Sequence, residues 1–217
     1  MRALPKLPRL LVVVVLVAAG LFLVAWAAAT AQTERAEPPP AGLAVATFAG
    51  GCFWCMEPPF DALEGVKSTT SGYIGGSKDS PSYREVTSGR TGHTEALRVV
   101  YDAQEITYQE LLDVYWRNVD PLQDDRQFCD VGSQYRPAIF VHDDEQRRLA
   151  EASKKRLDES GRFQHPIVVE IEDAGDFWVA EEYHQDYYEK NPVRYKVYST
   201  GCGRERRLEQ LWGRDSD

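Results

Sequence analysis

The segment Gly50-Gly51-Cys52-Phe53-Trp54-Cys55 combines two cysteines with two aromatic residues. A strand is predicted before it and a helix after it, so Cys52 stands where a helix begins. Free backbone amides and the helix dipole stabilise a thiolate there, and we predict a pKa for Cys52 below the ~8.5 of a free thiol. A lone cysteine is more often a small buried hydrophobe. The aromatic neighbours and the second cysteine favour a reactive role instead.

The spacing of Cys52 and Cys55 is compatible with three kinds of site. It fits a thioredoxin-like redox pair, half of a zinc site, or a nucleophile with an incidental neighbour. The other cysteines are Cys129 and Cys202, and no second Cys-x-x-Cys or His pair completes a zinc site, so we predict no bound metal. Cys202 lies between two glycines, which favours a mobile thiol that resolves an oxidised partner over a static structural disulfide.

Two further segments carry polar side chains that have no evident packing task. The first runs from Tyr83 to Glu95, and the second contains Asp130 and Tyr135. Taken singly, each of these is more often a solvated loop residue or a cap, and His184, among tyrosines, is expected to pack a helix. The residues by themselves therefore predict a thiol-based redox enzyme and nothing more specific.

The composition limits the class of protein. The 217 residues carry a formal net charge of −9 and 43% hydrophobic side chains, which is typical of an ordinary globular domain. So acidic a chain is unsuited to nucleic acid or anionic membrane surfaces, which need clustered Lys and Arg. Four cysteines are too few to replace a hydrophobic core at this length.

The N-terminal residues predict export. Residues 10–29 contain no charge, basic side chains precede them, and Ala29-Thr30-Ala31 resembles a signal cleavage site. Residues 1–31 are therefore predicted to be a cleaved signal peptide or a retained membrane anchor, and both place the following domain outside the cytoplasm. Residues 32–42, with three consecutive prolines, are predicted to be a linker, and the folded domain is expected over 43–217.

The order of the predicted elements indicates an α+β fold. We expect a single domain with a central mixed sheet flanked by helices, a ferredoxin-like two-layer sandwich, and a long irregular C-terminal tail containing one short helix. The predicted strands cover residues 43–49, 66–74, 94–101, 138–142 and 167–172. The predicted helices cover 52–63, 107–118, 143–160 and 179–189, and the irregular segments cover 77–92 and 120–137.

Several motifs resemble, in the same order, those of the peptide methionine sulfoxide reductase A family, over roughly residues 45–198. They are Gly51-Cys52-Phe53-Trp54, Ser71-Gly72-Tyr73, Tyr83-Arg84-Glu85-Val86, Gly92-His93-Thr94-Glu95, Asp130-Val131-Gly132-Ser133-Gln134-Tyr135-Arg136 and Glu182-Tyr183-His184-Gln185-Asp186-Tyr187. This resemblance implies a reductase of the S epimer of methionine sulfoxide, acting in protein repair on oxidised proteins and on free methionine sulfoxide.

The resemblance also implies a role for each matched residue. Cys52 would attack the sulfoxide sulfur, and Glu95 would protonate the sulfoxide oxygen. The other implied roles are an apolar wall for the substrate methyl group (Phe53, Trp54), hydrogen bonds to the oxygen (Tyr83, Tyr135) and organisation of the pocket (Asp130). This division suits the chemistry, because a sulfoxide oxygen leaves only when it is protonated while a soft nucleophile attacks.

After methionine leaves, Cys52 would carry a sulfenic acid that condenses with a second thiol. The chain departs from the commonest family pattern at Cys55 and Cys129. We expect Cys202 to resolve Cys52, and Cys55 to pair with Cys129 as auxiliary thiols. A thioredoxin-type dithiol would then reduce the enzyme, with no bound cofactor. The alternative is a thioredoxin-like disulfide oxidoreductase in which Cys55 resolves Cys52 directly.

Overall fold

The computed structural model describes residues 33–213. The predicted signal peptide or anchor over 1–31 lies outside these residues. Within 33–213, no helix combines the length and the apolar character needed to cross a membrane.

Strands and helices alternate through most of the described chain. The strands are β1 (Ala44–Ala49), β2 (Val66–Ile74), β3 (Thr94–Tyr101), β4 (Arg126–Gln127), β5 (Asp130–Val131), β6 (Ala138–Val141), β7 (Glu170–Asp173) and β8 (Trp178–Val179). The helices are α1 (Phe53–Asp61), α2 (Tyr83–Val86), α3 (Tyr108–Arg117), α4 (Asp144–Glu159), α5 (Tyr187–Lys190), α6 (Pro192–Gly201) and α7 (Arg204–Trp212).

Six of the strands form one sheet in the order β7-β6-β1-β3-β2-β8. All neighbours are antiparallel except β6 and β7, which are parallel. The predicted mixed sheet flanked by helices is thereby confirmed. Alternate residues of β3 face opposite sides: Leu97 and Val99 join the main core with residues of α1, α3 and α4, and Ala96 joins a smaller cluster with Phe140 and Phe177.

The end of β1 is held in place by the main core. Phe48 stacks on Phe60 of α1 and on Tyr115 of α3, with ring centroids 5.3 and 5.1 Å apart, and the Tyr115 hydroxyl donates to the carbonyl of Ala49 over 3.0 Å. The next residue, Gly50, has no space for a side chain, because a Cβ there would lie 2.5 Å from the sulfur of Met56. These contacts hold the turn that presents Cys52 at the start of α1.

Two predicted segments differ from the structure for reasons of local hydrogen bonding. The loop predicted over 77–92 contains α2, which begins with a capping box between Ser82 and Glu85. The helix predicted over 179–189 is wrong, because that segment contains the end of β8, a 3₁₀ turn over Glu182–His184 and the start of α5. The side-chain amide of Gln185 donates to the carbonyls of Ser71 and Ala180. These bonds hold this part of the chain against β2, so it does not form a continuous helix.

The two ends of the domain are also more ordered than predicted. The expected irregular tail is wrong over Pro192–Gly201, which forms α6, whereas the short helix expected in the tail is found as α7. The linker predicted over 32–42 is docked at its start: the amide of Val179 donates to the carbonyl of Glu34, and the amide of Ala36 donates to the carbonyl of Phe177, each over 2.8 Å. Thr33 is buried. The folded unit therefore begins before the predicted boundary at residue 43.

Candidate active site

Cys52 lies at the N-cap of α1 and is 7% exposed. Its neighbours are apolar and aromatic side chains, among them Phe53, Tyr73 and Trp178. Burial raises the pKa of the Cys52 thiol, as do its hydrogen bond to Cys55 and the charge of Glu95. The lowered pKa that the helix start predicted is therefore wrong, because the loss of solvent outweighs the amides and the dipole of α1.

Cys55 is the closest thiol partner of Cys52. The two side chains are hydrogen-bonded to each other, and the amide of Cys55 donates to the carbonyl of Cys52 over 3.0 Å. Accepting the hydrogen bond from Cys52 lowers the pKa of Cys55, and the positive charge of Arg204 lowers it as well. Both cysteines are free thiols. Cys55 is therefore placed to attack an oxidised Cys52, and its lowered pKa favours the thiolate that such an attack needs.

Glu95 points from β3 towards the start of α1. Its side chain is 1% exposed, and its Oε2 accepts a hydrogen bond from the amide of Phe53 over 3.2 Å. Burial raises the pKa of Glu95 to about 8. At pH 7 the Glu95 carboxyl is therefore protonated in most molecules, which is the state that a proton donor requires.

The two predicted tyrosines lie beside Glu95. Tyr83 is the first residue of α2, and its amide donates to Oε1 of Glu181 over 2.9 Å. Tyr135 ends the 3₁₀ turn that precedes β6. Burial, then the charge of Glu95, raise the pKa of Tyr83 to about 12 and raise that of Tyr135 as well. Both phenols therefore keep their protons and can donate hydrogen bonds to a developing negative charge.

Phe53 and Trp54 form the apolar part of the site. Phe53 is buried beside Tyr73, with ring centroids 6.0 Å apart. The indole of Trp54 is stacked on Tyr187 at 3.7 Å, and its Nε1–H donates to Nδ1 of His184 over 3.1 Å. A rigid aromatic wall of this kind suits a small apolar group such as a methyl.

His184 has a task that the sequence did not indicate. The prediction of helix packing is incomplete, because its ring accepts the hydrogen bond that orients Trp54. Burial lowers the pKa of His184 to about 4, so its ring is neutral and Nδ1 remains an acceptor at physiological pH. The aromatic residues around position 184 in the sequence did not indicate that His184 accepts a hydrogen bond from Trp54.

Tyr198 is a second residue that sequence reasoning missed. Its hydroxyl donates to Oδ2 of Asp130 over 2.5 Å and lies within hydrogen-bond reach of Cys52, whose pKa it lowers. Burial raises the pKa of Asp130. Asp130 thus lies beside the site in contact with Tyr198, which comes from the distant helix α6.

The cysteine pairing differs from the expectation. Cys202 forms a disulfide with Cys129, so the expected pairs Cys52–Cys202 and Cys55–Cys129 are not found. Cys129 is adjacent to Asp130, and the amide of Cys202 donates to the carbonyl of Tyr198 over 2.9 Å. The disulfide therefore joins the two segments that carry the Asp130–Tyr198 hydrogen bond.

The fold and the site define a thiol-dependent oxidoreductase. A buried thiol, a protonated carboxyl and two protonated phenols converge on one apolar pocket, and a second free thiol stands beside the first. A thioredoxin-like oxidoreductase would leave Glu95, Tyr83 and Tyr135 without a task, whereas here they lie around Cys52.

Comparison with known proteins identifies the family. Residues 44–216 match the family model described as peptide methionine sulfoxide reductase. The chain is 53% identical over 173 residues to peptide methionine sulfoxide reductase MsrA of Bacillus licheniformis, covering 80% of this chain and 96% of that one. It is 56% identical over 167 residues to MsrA of Ligilactobacillus salivarius, covering 77% and 96%. The chain belongs to the peptide methionine sulfoxide reductase A family, as its motifs predicted.

Solved structures agree with this assignment. The reduced form of Mxr1 from Saccharomyces cerevisiae superposes with a TM-score of 0.66 at 36% identity, covering 72% of this chain and 90% of Mxr1. Methionine sulfoxide reductase A of Corynebacterium diphtheriae has a TM-score of 0.63 at 33% identity, covering 72% and 84%. The predicted fold class is thereby confirmed.

Proposed function

We propose that this protein reduces the S epimer of methionine sulfoxide to methionine, in oxidised proteins and as the free amino acid. The single observation that carries the proposal is the buried carboxyl of Glu95, with a pKa of about 8, held beside Cys52 by the amide of Phe53. A thiol alone does not remove a sulfoxide oxygen, whereas a thiol paired with a protonated acid does. The family membership of the chain supports the same reaction.

In the first step, Cys52 attacks the sulfoxide sulfur while Glu95 protonates the oxygen. Tyr83 and Tyr135 donate hydrogen bonds to that oxygen, and Phe53 with Trp54 encloses the methyl group. The proton that the Cys52 thiol gives up restores the Glu95 carboxyl, so the step takes no net proton from the site. Methionine leaves, the oxygen remains on Cys52 as a sulfenic acid, and two electrons have moved from the Cys52 sulfur to the substrate.

In the second step, Cys55 attacks the Cys52 sulfenic acid, forming a Cys52–Cys55 disulfide and releasing water. We assign this step to Cys55 because its thiol is hydrogen-bonded to Cys52, whereas Cys202 is bonded to Cys129. The expected resolving role of Cys202 is replaced by this assignment. An external dithiol of the thioredoxin type is the proposed reductant, with no bound cofactor.

The proposed location is outside the cytoplasm. The uncharged residues 10–29, the basic residues before them and the site at 29–31 support export, with the N-terminal segment either removed or kept as an anchor. Cell fractionation with a protease-accessibility assay distinguishes an exported domain from a cytoplasmic one.

A single-turnover assay tests the function. The reduced full-length protein is mixed with excess S-sulfoxide in the absence of reductant, and methionine and free thiols are counted. We expect one methionine per chain, two thiols lost, and a Cys52–Cys55 disulfide in the peptide map. The Cys52→Ser variant is the control and should form no methionine. A folded, reduced protein that forms no methionine would contradict the proposal.

A further inference from the structure

Helix α6 directs two phenols towards the two active-site thiols. Tyr195 and Tyr198 are three residues apart and therefore lie on the same face of the helix, where both are half-buried. The Tyr195 hydroxyl is hydrogen-bonded to Cys55, and the Tyr198 hydroxyl is hydrogen-bonded to Cys52. Each thiol therefore has its own phenol, and one helix supplies both.

Three contacts hold the side chain of Tyr198 in place. Its ring packs against the buried cluster of the active site and meets the ring of Trp54 edge-on, with centroids 5.8 Å apart. Its hydroxyl donates to Oδ2 of Asp130 over 2.5 Å. One helical turn further on, Cys202 is bonded to Cys129, the residue before Asp130. The hydroxyl is thus fixed between a carboxyl group and a thiol.

The Tyr198 hydroxyl has one proton and two acceptors beside it. While Cys52 is a neutral thiol, Asp130 is the stronger acceptor and takes the hydrogen bond. Burial, then the charge of Cys52, raise the pKa of Tyr198, so the phenol keeps its proton at physiological pH. When the sulfur of Cys52 becomes negative, rotation about the C–O bond of the phenol brings the same proton to it. The positive charge of Arg204 then remains to balance Asp130.

We propose that Tyr198 is a further catalytic residue, whose hydroxyl donates a hydrogen bond to Sγ of Cys52 when that sulfur becomes a thiolate. The proposal rests on the proposed function for the step that it assists, the attack of Cys52 on the sulfoxide sulfur. As the thiol proton moves to Glu95, negative charge develops on Sγ in a pocket that excludes water, and a donor already in place stabilises it there. Tyr198 transfers no proton and no electron, so the balance of the step is unchanged.

The pH dependence of Cys52 alkylation tests this hydrogen bond without any sulfoxide. In the full-length Cys55→Ser protein with the Cys129–Cys202 disulfide intact, Cys52 is the remaining free thiol, and its reaction with iodoacetamide follows the fraction of thiolate. Tyr198→Phe in this background keeps the ring and removes the hydroxyl. The pH of half-maximal reaction should rise by about 1, because the thiolate loses one hydrogen bond. An unchanged pH would show that Tyr198 only packs, and would overturn the proposal.

The other titratable groups around Cys52 are the same in the two proteins compared. They are Glu95, Tyr83, Tyr135, Tyr195 and, beyond the Tyr198 hydroxyl, Asp130 with Arg204. Tyr195→Phe is the matched control, because it removes a hydroxyl from the same face of α6 that is bonded to Cys55. It should move the Cys52 profile much less than Tyr198→Phe does. Equal shifts from the two substitutions would show a general loss of polarity and contradict the proposal.

Asp130→Asn should move the same profile in the opposite direction. It removes the charged acceptor that competes for the Tyr198 proton, so the hydroxyl turns more readily to Cys52 and the pH of half-maximal reaction falls. In the Tyr198→Phe background the same substitution should produce a smaller fall, since only the loss of a negative charge remains. Equal falls in both backgrounds would show that the hydroxyl does not pass between the two acceptors, and would sink the proposal.

The single-turnover rate tests the catalytic role itself. At saturating S-sulfoxide and pH 7, Tyr198→Phe should form methionine about tenfold more slowly than the wild type. The sulfoxide concentration that gives half the maximal rate should stay the same, because phenylalanine keeps the ring against Trp54. A higher half-saturating concentration at an unchanged maximal rate would show that the residue acts on the aromatic wall, and would overturn the proposal. A wild type that forms no methionine would contradict the proposed function, whereas the alkylation profiles report on the hydrogen bond independently.

Discussion

The backbone amide of Phe53 donates a hydrogen bond to Oε2 of Glu95 over 3.2 Å. This bond joins β3 to the first turn of α1 and holds the acid beside the residue that follows the nucleophile. It favours the ionised carboxylate, yet burial dominates and the pKa of Glu95 rises to about 8. The same carboxyl is therefore both positioned and kept protonated by its place at the junction of strand and helix.

The sulfoxide step should depend on pH through Glu95. Its pKa is raised from 4.5 to about 8, so the protonated donor predominates below pH 8 and is lost above it. The single-turnover rate is expected to fall as the pH rises through about 8. Glu95→Gln should lower the rate by roughly 10²–10⁴-fold and remove this fall, because the amide neither ionises nor acts as an acid. If the rate of the Glu95→Gln variant fell with rising pH as the wild-type rate does, the role of Glu95 as the proton donor would be contradicted.

Cys55 and Cys202 should behave differently when each is replaced by serine. Cys55→Ser is expected to release one methionine per chain, retain a sulfenic acid on Cys52 and lose turnover with a dithiol reductant, because no neighbouring thiol resolves it. Cys202→Ser should retain turnover, since the hydrogen bond between Cys52 and Cys55 does not involve Cys202. Trapping of the sulfenic acid with dimedone measures the first effect. Persistent turnover in Cys55→Ser would restore Cys202 as the resolving thiol.

The Cys129–Cys202 disulfide should stabilise the domain. It closes a loop of 73 residues, and the entropy removed from the unfolded chain predicts about 4 kcal/mol, with typical values of 2–4 kcal/mol. Cys129→Ser with Cys202→Ser should lower the free energy of unfolding in urea by that range. The wild type unfolded under reducing conditions is the control and should match the double variant. Equal stabilities with and without reductant would show that the bond has no stabilising effect.

The docked residues before β1 should contribute to stability. The hydroxyl of Thr33 donates to the carbonyl of Pro81 over 2.8 Å, and the Ser80 hydroxyl donates to the carbonyl of Thr33. Ser80 and Pro81 lie three and two residues before Tyr83 in the chain. Thr33→Val is expected to cost about 1 kcal/mol of unfolding free energy, because it leaves the buried carbonyl without its donor. Glu37→Ala changes an exposed side chain nearby and should have no such effect.

His184 should act on substrate binding through Trp54. His184→Phe keeps an aromatic ring of similar size and removes the acceptor of the Trp54 Nε1–H. The KM for a sulfoxide substrate is expected to rise by up to about tenfold, the equivalent of roughly one hydrogen bond of 1.4 kcal/mol, while kcat changes little. In the Trp54→Phe background, which lacks that N–H, His184→Phe should add no further loss. A fall in kcat at unchanged KM would show that His184 does not act through Trp54.

The amino-acid sequence by itself determined the elements and the chemistry that depends on local pattern. The apolar alternation over 94–101 predicted β3 at its observed limits, and the helix predicted from residue 143 does start there, with the Asp143 side chain accepting from the amide of Gln146. The cysteine motif at 50–55 and the ordered motifs after it predicted the family. These features are local, because strand periodicity and helix capping depend on residues close together in the chain.

The tertiary structure alone decided which distant groups meet and how deeply they are buried. Cys202 lies far from Cys129 in sequence, and no spacing rule joins them. The prediction of a lowered Cys52 pKa was based on the start of a helix, which is a local feature. The structure reverses it, because side chains from distant segments cluster around the thiol and bury it. Tyr198 reaches Cys52 only because α6 packs over the site. Contacts between remote segments and the desolvation they cause follow from the packing of the whole domain, and short-range patterns do not encode them.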